Sequence, residues 1–131
     1  MGRKAFQDYF QENDCWGCGP NNENGLRLKT YWKNENKNVT ISTFIPKKFH
    51  KAGPDHILNG GIIGTIIDCH GVFTAVASLS KEEGTEISHN LWHVTGTLTV
   101  KYLKPTPIDR PVTLIGKIIE RQGKKVGSKF P

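Results

Sequence analysis

The chain has 131 residues, a formal net charge of +6 and 36% hydrophobic residues, which sets one domain large enough to bury a core of its own. No apolar run approaches the ~20 residues of a membrane span. The cations are scattered rather than gathered into a nucleic-acid stripe, and three cysteines do not make a secreted disulfide framework. Residues 1–11 are polar, without the apolar stretch of a signal peptide, so the expected compartment is the cytoplasm, with no membrane and no nucleic-acid partner.

Residues 1–14 set Phe6, Tyr9 and Phe10 among charges and read as a short amphipathic helix or an arm packed on the core. Residues 15–131 read as the domain proper. CWGCGPNNENGL, residues 15–26, is a turn-rich connection. Cys15 and Cys18 have the spacing of a metal knuckle, but a structural zinc site normally takes four ligands. Beyond that pair the chain offers only Cys69 and no second CxxC. The expectation is a compact loop with its thiols packed inside and no metal.

Residues 26–33 alternate as a strand, and 39–45, rich in β-branched residues, read as a second. A basic loop, 47–58, carries His50, Asp55 and His56. Residues 59–79, NGGIIGTIIDCHGVFTAVASL, have helical character from about Gly61. At a helical repeat, Gly61, Gly64, Thr65, Asp68, Val72 and Ala75 share one side. Ile62, Ile66, Cys69, Phe73 and Val76 lie beside them. A helix with so little polar surface is expected to be buried, which makes Asp68 the odd residue, since a carboxylate in apolar surroundings needs partners. Residues 80–90 read as a loop and 91–103 as a long alternating strand. Prolines 105, 107 and 111 break the chain before a strand over 112–120. Arg121 to Lys125 reads as a turn, and Val126 to Phe130 as the start of another strand. The order predicts an α+β fold, an antiparallel sheet covered on one face by the long helix.

Three stretches carry a family resemblance: ILNGGIIGTIID (57–68), VTGTLTVKYLKPTP (94–107) and CWGCGPNNENGLRLK (15–29). Together they make the chain similar to the hotdog-fold thioesterases of the phenylacetate-degradation type, which hydrolyse acyl-coenzyme A. The resemblance implies a sheet wrapped around the central helix and a homodimer, or a dimer of such dimers, with two interfacial active sites. It implies no cofactor beyond the coenzyme A of the substrate. Asp68 matches the carboxylate that activates water or attacks the thioester. Gly61 matches the helix-start N–H that polarises the carbonyl, as a helix N-terminus can. Thr95 matches the hydroxyl that helps hold the water. The usual His of the motif is Asn59 here, which can donate hydrogen bonds but cannot act as an acid or base. A positioning role is the expectation for it. Relatives continue with more sheet past the equivalent of residue 131, so the expected domain is either short of sheet or cut at its C-terminus.

The wider expected site takes in Gly60, His56, Thr65, Lys101 and Lys104 as substrate-binding residues. Lys47 or Lys48 and Arg110 are further cations for the coenzyme A phosphates. For any one of these cations a solvated surface is the simpler reading. Trp32, Phe44, Phe73 and Trp92 fit an acyl pocket or the core. Asp68 has a structural alternative as a buried cap or dimer bridge, and His70 and His93 read as structural or exposed. Two functions stand side by side: thioester hydrolysis, and non-hydrolytic binding of an acyl-CoA or lipid-like ligand on the same fold.

Overall fold

The computed structural model describes residues 3–122 and 125–129, with side chains as far as position 119. Four strands form one antiparallel sheet in the order β1-β2-β3-β4: β1 Thr30–Trp32, β2 Thr40–Phe44, β3 Val112–Gln122 and β4 Lys125–Lys129. The helix α1, Gly60–Glu83, lies across it and packs on β3 and β4 above all. This is the expected α+β architecture. Of the expected turn and final strand, residues 123, 124 and 130 lie outside the described residues.

The helix is longer than its apolar run. Lys81, Glu82 and Glu83 are good helix formers, and α1 ends only where Gly84 takes a left-handed conformation (φ 65°). Gly84 N–H bonds Lys81 O, and Thr85 N–H bonds Ser80 O at 3.1 Å, which closes the helix end with paired carbonyls. By length and hydropathy alone α1 would pass for a membrane span, but half of that window is buried against the rest of the chain. Its second half is enclosed, with Phe73, Val76, Ala77 and Leu79 all buried. Its first half is only partly covered, and Gly61 is exposed.

The expected strand over 91–103 does not form. Residues 89–91 make one 3₁₀ turn and 92–103 pair with no strand among the described residues. An alternating sequence becomes a strand only when a neighbour takes its backbone groups, and the sheet order places none beside it. Val94 (82% exposed) and Leu103 (86%) face solvent.

The N-terminal segment is part of the core. Phe6 and Phe10 are buried, and Phe10 meets Phe73 edge to face with centroids 5.6 Å apart. Beneath it runs a buried polar chain. Gln7 Nε2 donates to Thr30 Oγ1 at 2.8 Å, and Thr30 Oγ1 meets Ser42 Oγ at 2.9 Å. Ser42 Oγ lies 2.6 Å from His70 Nδ1, and Thr40 Oγ1 lies 2.9 Å from His70 Nε2. His70 is fully buried, and burial pushes its pKa down to about 4. Its role is structural, locking α1 in rotation over β2. The sheet makes room for it at Gly116, opposite Thr40: a Cβ there would stand 2.7 Å from His70 Nε2.

Candidate active site

Helix α1 starts where the preceding loop is pinned. Leu58 N–H bonds Thr106 O, Ile108 N–H bonds His56 O, and Asn59 N–H bonds His50 O at 2.9 Å. His50 is buried, and its Nδ1 accepts the Lys47 N–H at 2.9 Å. Burial first, then the positive Lys47, holds its pKa below the usual value. His50 therefore shapes the loop that delivers Asn59. Asn59 is the N-cap: its Oδ1 accepts the N–H of Gly61 at 2.7 Å and of Ile62 at 3.3 Å. An Asn at this place satisfies helix donors that otherwise have no partner. It also covers the very donor expected to face a substrate carbonyl.

Asp68 sits two turns on. It is half-buried rather than enclosed, which corrects the picture of a carboxylate sunk in an apolar helix. The hydroxyl of Thr95, expected to hold a water, donates to its Oδ1. From there the chain runs back along the helix toward its start. The ring of Tyr102 lies over Gly60 and Gly64, and its hydroxyl donates to Gly60 O at 2.7 Å. The unpaired segment 95–102 is thus tied to the first half of α1 at both ends.

The remaining expected residues divide. Thr65 spends its hydroxyl on Gly61 O at 2.9 Å, so it supports the helix backbone. His56, Lys101 and Lys104 are exposed, and neither lysine makes an ion pair among the described residues. Phe44 and Phe73 belong to the core, whereas Trp92 is 43% exposed. Gly61 and Asp68 are not brought together, since seven residues of helix separate them by about 10 Å.

Two features escaped the sequence reading. Tyr102 counts there only as a strand residue, and nothing local foretells that it folds over Gly60. The second is a thiol cluster. The Sγ atoms of Cys15, Cys18 and Cys69 all lie within 4.8 Å of one another, and Cys15 and Cys69 are 3.8 Å apart. A hydrogen bond with Cys18, then burial, keeps the Cys69 thiol well above the usual range. The signal was present in the CxxC spacing and in a third cysteine one residue past Asp68, but sequence cannot fold them together.

No protein-family model matches the chain, and no curated protein does. Among solved structures it is similar to a thioesterase superfamily protein from Shewanella loihica PV-4. The two share 36% identity with a TM-score of 0.65, over 79% of this chain and 76% of that one. A second thioesterase superfamily protein is 20% identical with a TM-score of 0.58, over 85% of this chain and 50% of that one, a likeness of fold alone. With that likeness to the first relative, and with an antiparallel sheet packed on the long helix α1, the chain belongs to the thioesterase superfamily and has an α+β hotdog fold.

Proposed function

We propose that the chain hydrolyses an acyl-CoA thioester to the free acid and coenzyme A, as an enzyme of the phenylacetate-degradation type. The observation that carries this reading is the half-buried Asp68 held by the Thr95 hydroxyl on the central helix. With Oδ1 taken by Thr95, Oδ2 is left for water. Asp68 draws a proton from that water as its oxygen attacks the thioester carbon. The oxyanion that forms is stabilised by N–H groups at a helix start, where the helix dipole is positive. When the C–S bond breaks, the thiolate leaves and takes the proton from Asp68. Direct attack by the carboxylate is the alternative route to the same products.

The 10 Å between Gly61 and Asp68 is too long for both groups to act on one carbonyl within one chain. The reading therefore includes a homodimer in which one subunit supplies Asp68 and Thr95 and the other supplies the Gly61 end. The solvent-facing Val94, Leu98 and Leu103, on the segment that carries Thr95, support it as apolar surface for a partner to cover. A groove of about 600 Å³ also lies on the loop leading into α1, lined by Lys48, Lys51 and Arg110 among others. Lys51 and Arg110 pair with Asp55 and Asp109, which leaves Lys48 as its cation for a phosphate.

The second reading, non-hydrolytic binding of an acyl-CoA or lipid-like ligand, is favoured by one observation: Asn59 occupies the Gly61 N–H. One experiment separates the two. Acyl-CoA thioesters of varied chain length and aryl group are offered to the wild type and to Asp68→Asn, and the released thiol is followed. Hydrolysis predicts turnover of at least one thioester and a loss of about 10²–10⁴-fold in the variant, the usual contribution of a general base. Saturable binding of coenzyme A without turnover by the wild type would establish the second reading. Equal turnover in both proteins would remove Asp68 from the chemistry.

A further inference from the structure

Hydrolysis makes no use of the three thiols. They come from two elements far apart in sequence, the loop before β1 and the middle of α1. The loop is built to meet the helix. Gly17 lies so close that a Cβ there would stand 2.4 Å from Cys69 Sγ and 2.8 Å from Thr65 Cγ2. Its fold is fixed by its own hydrogen bonds: Gly19 N–H to Cys15 O at 2.8 Å, Leu26 N–H to Trp16 O at 2.8 Å, and Asn21 Nδ2 to Asp14 Oδ1 at 2.7 Å. Cys18 and Cys69 are buried, and Cys15 is exposed. The sulfurs therefore converge on one point with an opening on the Cys15 side.

From this geometry we infer that Cys15, Cys18 and Cys69 form a binding site for one zinc-class ion, clamping the N-terminal knuckle to the central helix behind Asp68. Tetrahedral zinc with Zn–S bonds of about 2.3 Å sets its sulfurs about 3.8 Å apart. Cys15 and Cys69 already stand at 3.8 Å, and the third sulfur completes a triangle within 4.8 Å. Soft thiolates select zinc or Cu(I) over magnesium or calcium. A disulfide would use two of the sulfurs, strand the third and require an oxidant, whereas one ion uses all three. As each Sγ–metal bond forms, its thiol proton passes to water, and no electrons are transferred. No fourth His, Cys, Asp or Glu joins the cluster among the described residues, so the fourth position takes water or a small thiol from the Cys15 side. The site does not depend on the chain being a hydrolase.

The test uses the full chain, reduced and stripped of metal, with zinc and cobalt(II) as probes. One zinc per chain should survive gel filtration. Cobalt should give thiolate-to-metal charge-transfer absorption that zinc abolishes. Zinc should shield all three thiols from alkylation and raise the melting temperature. Cys15→Ser alters an exposed side chain, and circular dichroism confirms its fold. It should weaken zinc binding by more than about 100-fold, since loss of a mere supporting group already costs about 10–100-fold. Cys69→Ser should do the same. Three freely alkylated thiols in the presence of zinc would overturn the inference, as would a disulfide in the protein as isolated from cells. Unchanged cobalt absorption in folded Cys15→Ser would overturn it too.

Discussion

The side-chain oxygen of Asn59 accepts the Gly61 N–H at 2.7 Å, so the N-cap covers the donor that the proposed mechanism assigns to the oxyanion. Under that mechanism a substrate carbonyl takes the N–H from Asn59, and the side chain turns aside. Asn59→Asp tests the arrangement. Aspartate caps as well as asparagine and adds a favourable charge at the helix start. It also sets an anion where the oxyanion must form. The melting temperature should hold or rise, and kcat should fall about 100-fold, the usual cost of one lost oxyanion donor. Unchanged kcat in Asn59→Asp would show that the carbonyl is polarised elsewhere.

Thr95 donates to Asp68 from a segment with no strand partner among the described residues, so its effect should be on chemistry rather than stability. Thr95→Val keeps the shape and removes the donor. A hydrogen bond to a charged group contributes about 1.5–3 kcal/mol, which predicts a fall in kcat of about 10-fold or more with little change in melting temperature. If steady-state kinetics instead show a rise in KM alone, Thr95 contacts substrate rather than the carboxylate.

A site divided between subunits makes activity depend on association. Leu98→Glu places a charge at an exposed apolar position on the segment that carries Thr95, where a monomer tolerates it. The variant should keep its circular dichroism, sediment as a monomer and lose hydrolysis, and specific activity of the wild type should fall on dilution. Full activity in a monomeric variant would rule out the shared site.

Gly116 and His70 are a matched pair across the sheet–helix interface. In Gly116→Ala the new methyl meets Thr40 Oγ1 at 2.6 Å and His70 Nε2 at 2.7 Å. Overpacking of this kind costs about 1–3 kcal/mol, and the hydrogen bonds that hold the ring must shift as well. Urea denaturation should show a loss in that range. A neutral result would mean that His70 has room the structure denies it.

His70 also gives a pH signature. Its pKa is near 6.5 when unfolded and about 4 when buried in the folded chain. Between those values the unfolded chain binds the extra proton, so stability falls as pH drops below about 6.5, and the loss is complete near 4. The shift corresponds to about 3 kcal/mol. His50, lowered for similar reasons, adds in the same direction. Unfolding free energy measured across this window should fall less steeply in His70→Asn than in the wild type.

Much of the fold is legible locally. The β-branched run at 39–45 and the apolar run at 112–120 after the prolines locate β2 and β3, since strand composition is a local property. The glycine pair and the apolar repeat mark α1, although residues 80–90 read as loop and only the structure carries the helix through Glu83 to its stop at Gly84. Asp68, Thr95 and Asn59 stand out by residue type and by resemblance. The segment 91–103 shows the limit. Its alternation is real, but a strand is defined by its neighbour, and none of the described residues pairs with it. Asn59 is named by sequence, yet only coordinates place its oxygen on the Gly61 N–H. The same holds for His70 between Ser42 and Thr40, and for Cys69 beside Cys15 and Cys18. Short-range pattern located α1, β2 and β3 and named the residues able to carry chemistry, because periodicity and functional groups are local properties. Tertiary structure decided which of those groups meet, because a distance between residues tens of positions apart is set by how the whole helix rotates and packs on the sheet.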